Sequence, residues 1–156
     1  MIKVRLQIGD GGIVDTAEEY GLVYLSSDHI FSAPTKDFEK TSYPEEEGEH
    51  VFLKTVDNAF DYKVVWFVKA DGSIGNANDV ISRFNAQLYD ITNGVKEFKR
   101  VTFYNDYKKV KIVGIPTPIT NASEFWRDSK GKLHDVVKVD WTIRVDKPSL
   151  CDFNLE

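Results

Sequence analysis

Helical periodicity occurs in one stretch of this chain and period-two alternation in most of the rest, so the chain can fold only as strands around one packed helix. The final strand shows the alternation most clearly. Val137, Val139, Trp141, Ile143 and Val145 interleave with Lys138, Asp140, Thr142, Arg144 and Asp146, giving one core face and one wet face before Pro148 stops it. At the other end Ile2, Val4, Leu6 and Ile8 alternate with Lys3, Arg5 and Gln7 and close on Gly9-Asp10-Gly11-Gly12. Phe60 to Lys69 is apolar on both faces, with Phe60, Tyr62, Val64, Trp66 and Val68 on one and Val65 and Phe67 on the other. That pattern predicts an interior strand.

The helix is expected at about residues 76–90. Ala77, Val80, Ile81, Phe84 and Leu88 form its apolar stripe, Asn76 or Asn78 offers a cap, Asp79 suits the first turn, and Gly94 ends it. A helix with one apolar stripe must lie on a sheet or plug a barrel mouth. Shorter pieces complete the chain. Ala17 to Gly21 suits a turn or short helix and Leu22 to Leu25 a strand, as does Val51 to Asp57. Turns are expected at Asp71-Gly72-Ser73 and Ser129 to Lys132, with an irregular stretch from Asn121 to Trp126. Val95 to Tyr104 and Lys108 to Ile115 suggest a hairpin about Asn105-Asp106. The expected fold is mainly β (α+β), an antiparallel sandwich or barrel-like body over residues 1–156 as a single domain. No linker or internal repeat divides it.

Residues 32–50 break the pattern. Pro34 and Pro44 oppose a central strand, while Phe38 and Tyr43 supply anchors uncommon in disordered segments. The stretch is expected to be an extended arm that packs on a neighbouring surface. Its charge supports this. Asp37 to Glu49 carries six acids, including Glu45, Glu46, Glu47 and Glu49, against one lysine, or −5. Val95 to Ile115 carries six bases (Lys96, Lys99, Arg100, Lys108, Lys109 and Lys111) against two acids, or +4. Solvated faces account for much of such asymmetry, but it also suits association between copies of a chain.

The residues advertise no catalysis. His29, His50 and His134 fall in no metal-binding spacing, and Glu45 to Glu49 lacks the calcium-loop pattern. No nucleophile elbow, P-loop or dinucleotide fingerprint is present. Asp140 and Asp146 stand beside Lys138 and Arg144, which cross-strand pairing explains, and Cys151 has only Lys147 as a positive neighbour. No cofactor, metal or enzymatic activity is expected. Aromatics interleave with the bases of residues 96–111, but a pI near 5.3 opposes a dedicated nucleic-acid binder. With no apolar run of bilayer length and charges inside its first strand, the chain is expected neither to span a membrane nor to begin with a signal peptide.

The order of motifs resembles the N-terminal domain of phage distal tail proteins. It runs from Ser42-Tyr43-Pro44-Glu45-Glu46-Glu47-Gly48 through Tyr62 to Trp66 and the Val80-to-Tyr89 helix. Phe103-Tyr104-Asn105-Asp106-Tyr107, Lys111-Ile112-Val113-Gly114 and Asp146-Lys147-Pro148 follow, about residues 20–148 in all. The resemblance implies a ring-forming adaptor between tail tube and baseplate, a hexamer partnered by itself and by other tail proteins. It implies a virion component made in the bacterial cytoplasm, without catalytic residues. Many such proteins carry a second, receptor- or carbohydrate-binding-like domain, whereas this sequence stops at Glu156, which suits a tail-tube or tail-completion relative as well. A rival reading is a small β-barrel binding module, which requires a cavity lined by Trp66, Phe67, Phe84 and Trp141.

Overall fold

The structure, a computed structural model, describes residues 4–44, 47–69, 74–127 and 133–155. The expected positions of Ile2 and Lys3, the turns at residues 71–73 and 129–132, and Glu45 and Glu46 lie outside these residues. The described chain is mostly strand, in a large antiparallel, sandwich-like arrangement with few helices. Its elements are β1 (Val4–Ile8), β2 (Val14–Asp15), α1 (Thr16–Glu19), β3 (Leu22–Ser27), β4 (Lys40–Thr41), β5 (His50–Val51) and β6 (Phe60–Lys69). Then come α2 (Ile74–Gln87), β7 (Tyr89–Thr92), β8 (Val95–Phe98), β9 (Val101–Asn105), β10 (Val110–Pro116), β11 (Ala122–Arg127) and β12 (Leu133–Val145). The strand order is β2-β1-β9-β10-β12-β6-β3, with β11 also on β12.

The path folds into two facing halves at β10. Val110 to Gly114 pair with β9, and Ile115 and Pro116 pair with β12. Gly114 makes the crossing possible. A Cβ there would overlap the Arg144 carbonyl oxygen and come 2.7 Å from Ile143 Cγ2. Phe103 of β9 then meets Tyr62 and Trp66 of β6 at ring-centroid distances of 6.0 Å each, and Tyr24 of β3 at 6.4 Å. The inward positions of β12 (Val137, Val139, Trp141, Ile143, Val145) and of β6 (Tyr62, Val64, Trp66, Val68) are buried, as their alternation requires.

Helix α2 begins at Ile74 and ends at Gln87, so positions 76 and 78 lie inside it and not at its start. Phe84 packs edge-on against Trp141 at 5.4 Å, and Trp141 lies 6.0 Å from Trp66. The helix therefore covers the same face of β6–β12 that Phe103 covers and extends the opposing layer. This corrects the expectation that β6 is interior on both sides. Val65 and Phe67 are half-buried on the outer face, where Val23, Lys138 and Asp140 are their strand neighbours. Beyond α2 the chain turns straight into the β7–β8 hairpin about Asn93 and Gly94, both at positive φ (52° and 76°). That geometry is the type I′ turn which Asn-Gly favours. The expected hairpin of residues 95–115 is thus two hairpins, β7–β8 and β9–β10, the second turning through Asp106 to Lys109. Residues 122–127, expected to be irregular, form β11.

Gly114→Ala should destabilise the fold by about 3 kcal/mol, because the obstructing atom is backbone and cannot rotate away. In a chain of this size that is a fall of about 6–12 °C in Tm, measurable by circular dichroism.

Candidate assembly surface

Between Phe31 and Asn58 the chain leaves the body as a two-stranded ribbon. Asn58 N donates to the Pro34 carbonyl at 2.6 Å, Lys36 N to Val56 O at 2.9 Å and Phe52 N to Glu39 O at 2.9 Å. Lys40 pairs with Val51 and Thr41 with His50 near the tip. The expected strand from Val51 to Asp57 is thus reduced to β5 and one bridge, Thr35 with Asp57. Phe38, Tyr43, Glu47 and Glu49 are exposed on this ribbon. Lys40 reaches Glu49 at 4.0 Å, and the rings of Tyr43 and His50 meet edge-on at 5.3 Å.

The ribbon is rooted in a polar cluster at the end of the sandwich. Tyr62 donates its hydroxyl hydrogen to Ser27 Oγ at 3.0 Å, and Tyr24 OH and Ser27 Oγ share another bond at 2.8 Å. Burial pushes the Tyr62 phenol up to about 12, which keeps it a donor. Asp28 and Lys63 are tied twice, Asp28 N to Lys63 O and Lys63 N to Asp28 Oδ2, each at 3.0 Å. Lys108 comes from the β9–β10 turn, where its own N–H donates to Asn105 Oδ1 at 3.0 Å, and places its ammonium on the Ser27 carbonyl. Sequence spacing gave no sign of this latch, which joins residues 81 positions apart.

The six basic candidates divide between the two ends of β9, a five-residue strand about 15 Å long. Lys108, Lys109 and Lys111 are at the turn end, with Lys109 exposed at φ 57° and Lys111 paired through its backbone with Asp152. Lys96, Lys99 and Arg100 are at the other end. Lys96 lies over the Tyr89 ring at 4.7 Å, and Lys99 reaches Asp90 at 3.4 Å. Arg100 holds Asp146 with two bonds of 2.6 and 2.9 Å. These bonds keep the Asp146 carboxyl below its ordinary value of 3.8, against the opposing pull of desolvation. Arg100 thereby clamps the start of β9 to the residue that follows β12. The pair is about a third exposed, so solvent screens it.

The cavity required by a ligand-binding module is not where it was expected. Trp66, Phe84 and Trp141 are fully buried against one another, and Phe67 lies on the opposite side of β6. An open groove of about 650 Å³ does run between the Gly9–Gly12 loop and β7. Its charged lining, Asp10, Glu19, Asp90 and Lys99, mixes both signs and surrounds no enclosed apolar space. Among the described residues no group of three or more His, Cys, Asp or Glu side chains could hold a metal ion, and no helix is long and apolar enough to cross a membrane.

No protein-family model matches the chain, and no curated protein matches it by sequence. Its fold does match a solved structure. The SPP1 Dit (gp 19.1) protein, described as a paradigm of the hub adsorption apparatus in Gram-positive infecting phages, superposes with a TM-score of 0.59 at 12% identity. The alignment covers 93% of this chain and 50% of that one, so the chain spans about half the length of SPP1 Dit.

Two outcomes follow from the latch and the clamp. Lys108→Ala should speed tryptic cleavage at Lys36, Lys40 and Lys54 several-fold while shifting Tm by no more than a few degrees, since it frees the ribbon root and leaves the core intact. Arg100→Ala should flatten the acid side of the stability curve. The lowered Asp146 carboxyl contributes stability that is complete above its ordinary value of 3.8 and lost as the pH falls through its folded value. Chemical denaturation of both proteins between neutral pH and about pH 3 reads the difference.

Proposed function

We propose that the chain is a structural component of a phage or prophage tail that assembles with copies of itself. The observation that carries this reading is the match to SPP1 Dit over 93% of the chain, in a fold whose order of elements the sequence resemblance anticipates. In its specific form the reading is a ring-forming adaptor between tail tube and baseplate, six copies to a ring, with other tail proteins above and below. A tail-tube or tail-completion role uses the same body and the same self-contact. The protein's place is the virion, and it needs no cofactor for this work.

The arm supports self-assembly because it stands away from the body. An isolated two-stranded ribbon is marginal in water and gains from a surface to lie on. Residues 32–57 carry seven acids and three lysines, −4. Lys109 and Lys111 with exposed Tyr107 form a basic, partly apolar corner at the turn end of β9. Exposed ion pairs contribute only about 0–1 kcal/mol each, so charge sets register and partner choice while apolar anchors supply the affinity.

Light scattering coupled to gel filtration tests this. The chain should form a discrete oligomer at low salt that weakens as salt rises. Lys109→Glu with Lys111→Glu should weaken it further, and adding Glu47→Lys with Glu49→Lys should restore it. A strict monomer at high concentration and low salt would sink self-assembly.

A further inference from the structure

One edge of the sandwich is closed by a short segment of the chain instead of a strand. β10 pairs with β12 only at Ile115 and Pro116. From Lys109 to Val113 its side away from β9 therefore meets no strand of the sheet among the described residues. Residues 151–155 lie there. Lys111 and Asp152 exchange both backbone bonds, Lys111 N to Asp152 O at 2.7 Å and Asp152 N to Lys111 O at 2.9 Å. Leu155 N donates to Lys109 O at 2.8 Å. At Val113 a side chain takes over: Val113 N donates to Cys151 Sγ at 3.3 Å, and the same thiol donates to the Val113 carbonyl at 3.7 Å. Burial pushes the thiol above its ordinary value of 9.0, which keeps it a donor. The segment is held more lightly than the chain just before it. None of its residues is buried, and Phe153 meets Phe60 at 6.3 Å. Asp146, by contrast, is clamped by Arg100, and Pro148 is buried. Between the two lies a single turn, Pro148–Leu150, in which Leu150 is 44% exposed.

We infer that residues 151–155 form an exchangeable strap, which lifts at the Pro148–Leu150 turn and seats on the β10 edge of a second copy of this chain. What the edge already holds identifies the occupant. The same five residues of another copy would remake every bond just described, the two at the Cys151 thiol included. Exchange of an identical element therefore costs little beyond opening the turn and joining two chains. The edge also demands an occupant. With the strap lifted, Lys109 O and the outward N–H and C=O groups of Lys111 and Val113 lose their partners, and a bare strand edge is a template for another chain. Lifting leaves the rest of the body intact, because β9 and β10 stay paired from Val101 to Val110 and the Arg100 clamp lies before the turn. This contact is separate from the arm's and does not depend on it.

Paired cysteines read the exchange in full-length chains that carry Cys151→Ser. A hydrogen-bonded antiparallel pair such as Lys111 and Asp152 has its Cα atoms about 5.5 Å apart, within disulfide reach. Lys111→Cys with Asp152→Cys in one chain should close an internal disulfide under oxidised glutathione. A chain with Lys111→Cys alone, mixed at high salt with a chain carrying Asp152→Cys alone, should give a covalent heterodimer. Its yield should exceed that of either homodimer by at least about tenfold, since only exchange holds the two thiols together. High salt weakens the arm's contact, so cross-linking there by otherwise monomeric chains supports exchange by itself. A heterodimer no more abundant than the homodimers overturns exchange, and an internal disulfide that does not form overturns the seating of the strap. The unsubstituted chain supplies a second measurement, because Cys151 is its one thiol. A thiol reagent should label it at least about tenfold faster than the sandwich unfolds, as local opening allows. Labelling no faster than global unfolding overturns the lifting, and exchange with it.

Discussion

The fold depends on a chain of ring contacts running from Phe103 through Trp66 and Trp141 to Phe84. Each ring comes from a different element. Phe103 brings in β9 and with it the β2-β1-β9-β10 half; Trp66 and Trp141 sit on the two central strands of the other half; Phe84 brings in the helix. Aromatic pairs at these separations contribute about 0.5–1.5 kcal/mol each beyond the area they bury. Trp66 and Trp141 each touch a ring on either side, so truncating either one loosens two contacts at once. Every other device operates at the rim of this cluster. Gly114 lets β10 pass from one half to the other, Arg100 clamps the end of β12 to the start of β9, and Lys108 ties the β9–β10 turn to the root of the arm.

Much of this was legible in the chain because one-sided burial leaves an alternating record. β1, β6 and β12 were all recognisable, as was the stripe of Val80, Ile81, Phe84 and Leu88. The failures each have a physical reason. Asn93-Gly94 is among the strongest hairpin signals known, yet after a helical stripe its glycine reads as a helix stop, which draws Tyr89 and Asp90, the first half of β7, into the expected helix. Val65 and Phe67 made β6 look interior on both faces, although half-burial by neighbouring strand residues suffices for them. Gly114 gave no local sign of its role, because the obstruction to a side chain there comes from Arg144, thirty positions away. Asn85 lies outside the apolar stripe, yet its carboxamide exchanges two hydrogen bonds, 2.8 and 2.9 Å, with the backbone of Ile119.

The candidate surface was legible in composition but not in geometry. Proline, acids and two aromatics marked residues 32–50 as an arm, and the arm is a ribbon. What composition could not convey was which bases stand together. Six bases within residues 96–111 suggested one patch. A five-residue strand instead separates them into a group engaged by Tyr89, Asp90 and Asp146 and a group at the far turn. Linear charge density is a poor guide wherever a strand lies between the charges, because each strand residue moves the chain about 3.3 Å.

The same reasoning accounts for the form of the arm. A ribbon buried in its own body would shed its exposed apolar residues into that core, and its acids would face the desolvation costs of burial. A fully solvated arm would have no use for Leu53 at 83% exposure. The observed arm lies between these limits, with exposed apolar residues among acids and a root held by hydrogen bonds, the composition that the proposed self-assembly calls for. The body holds the root through Ser27, Asp28, Tyr62 and Lys108 while Leu53 stays exposed. Stability of the fold and the proposed self-contact thereby fall to different residues, so the arm can change without disturbing the Trp66–Trp141 core.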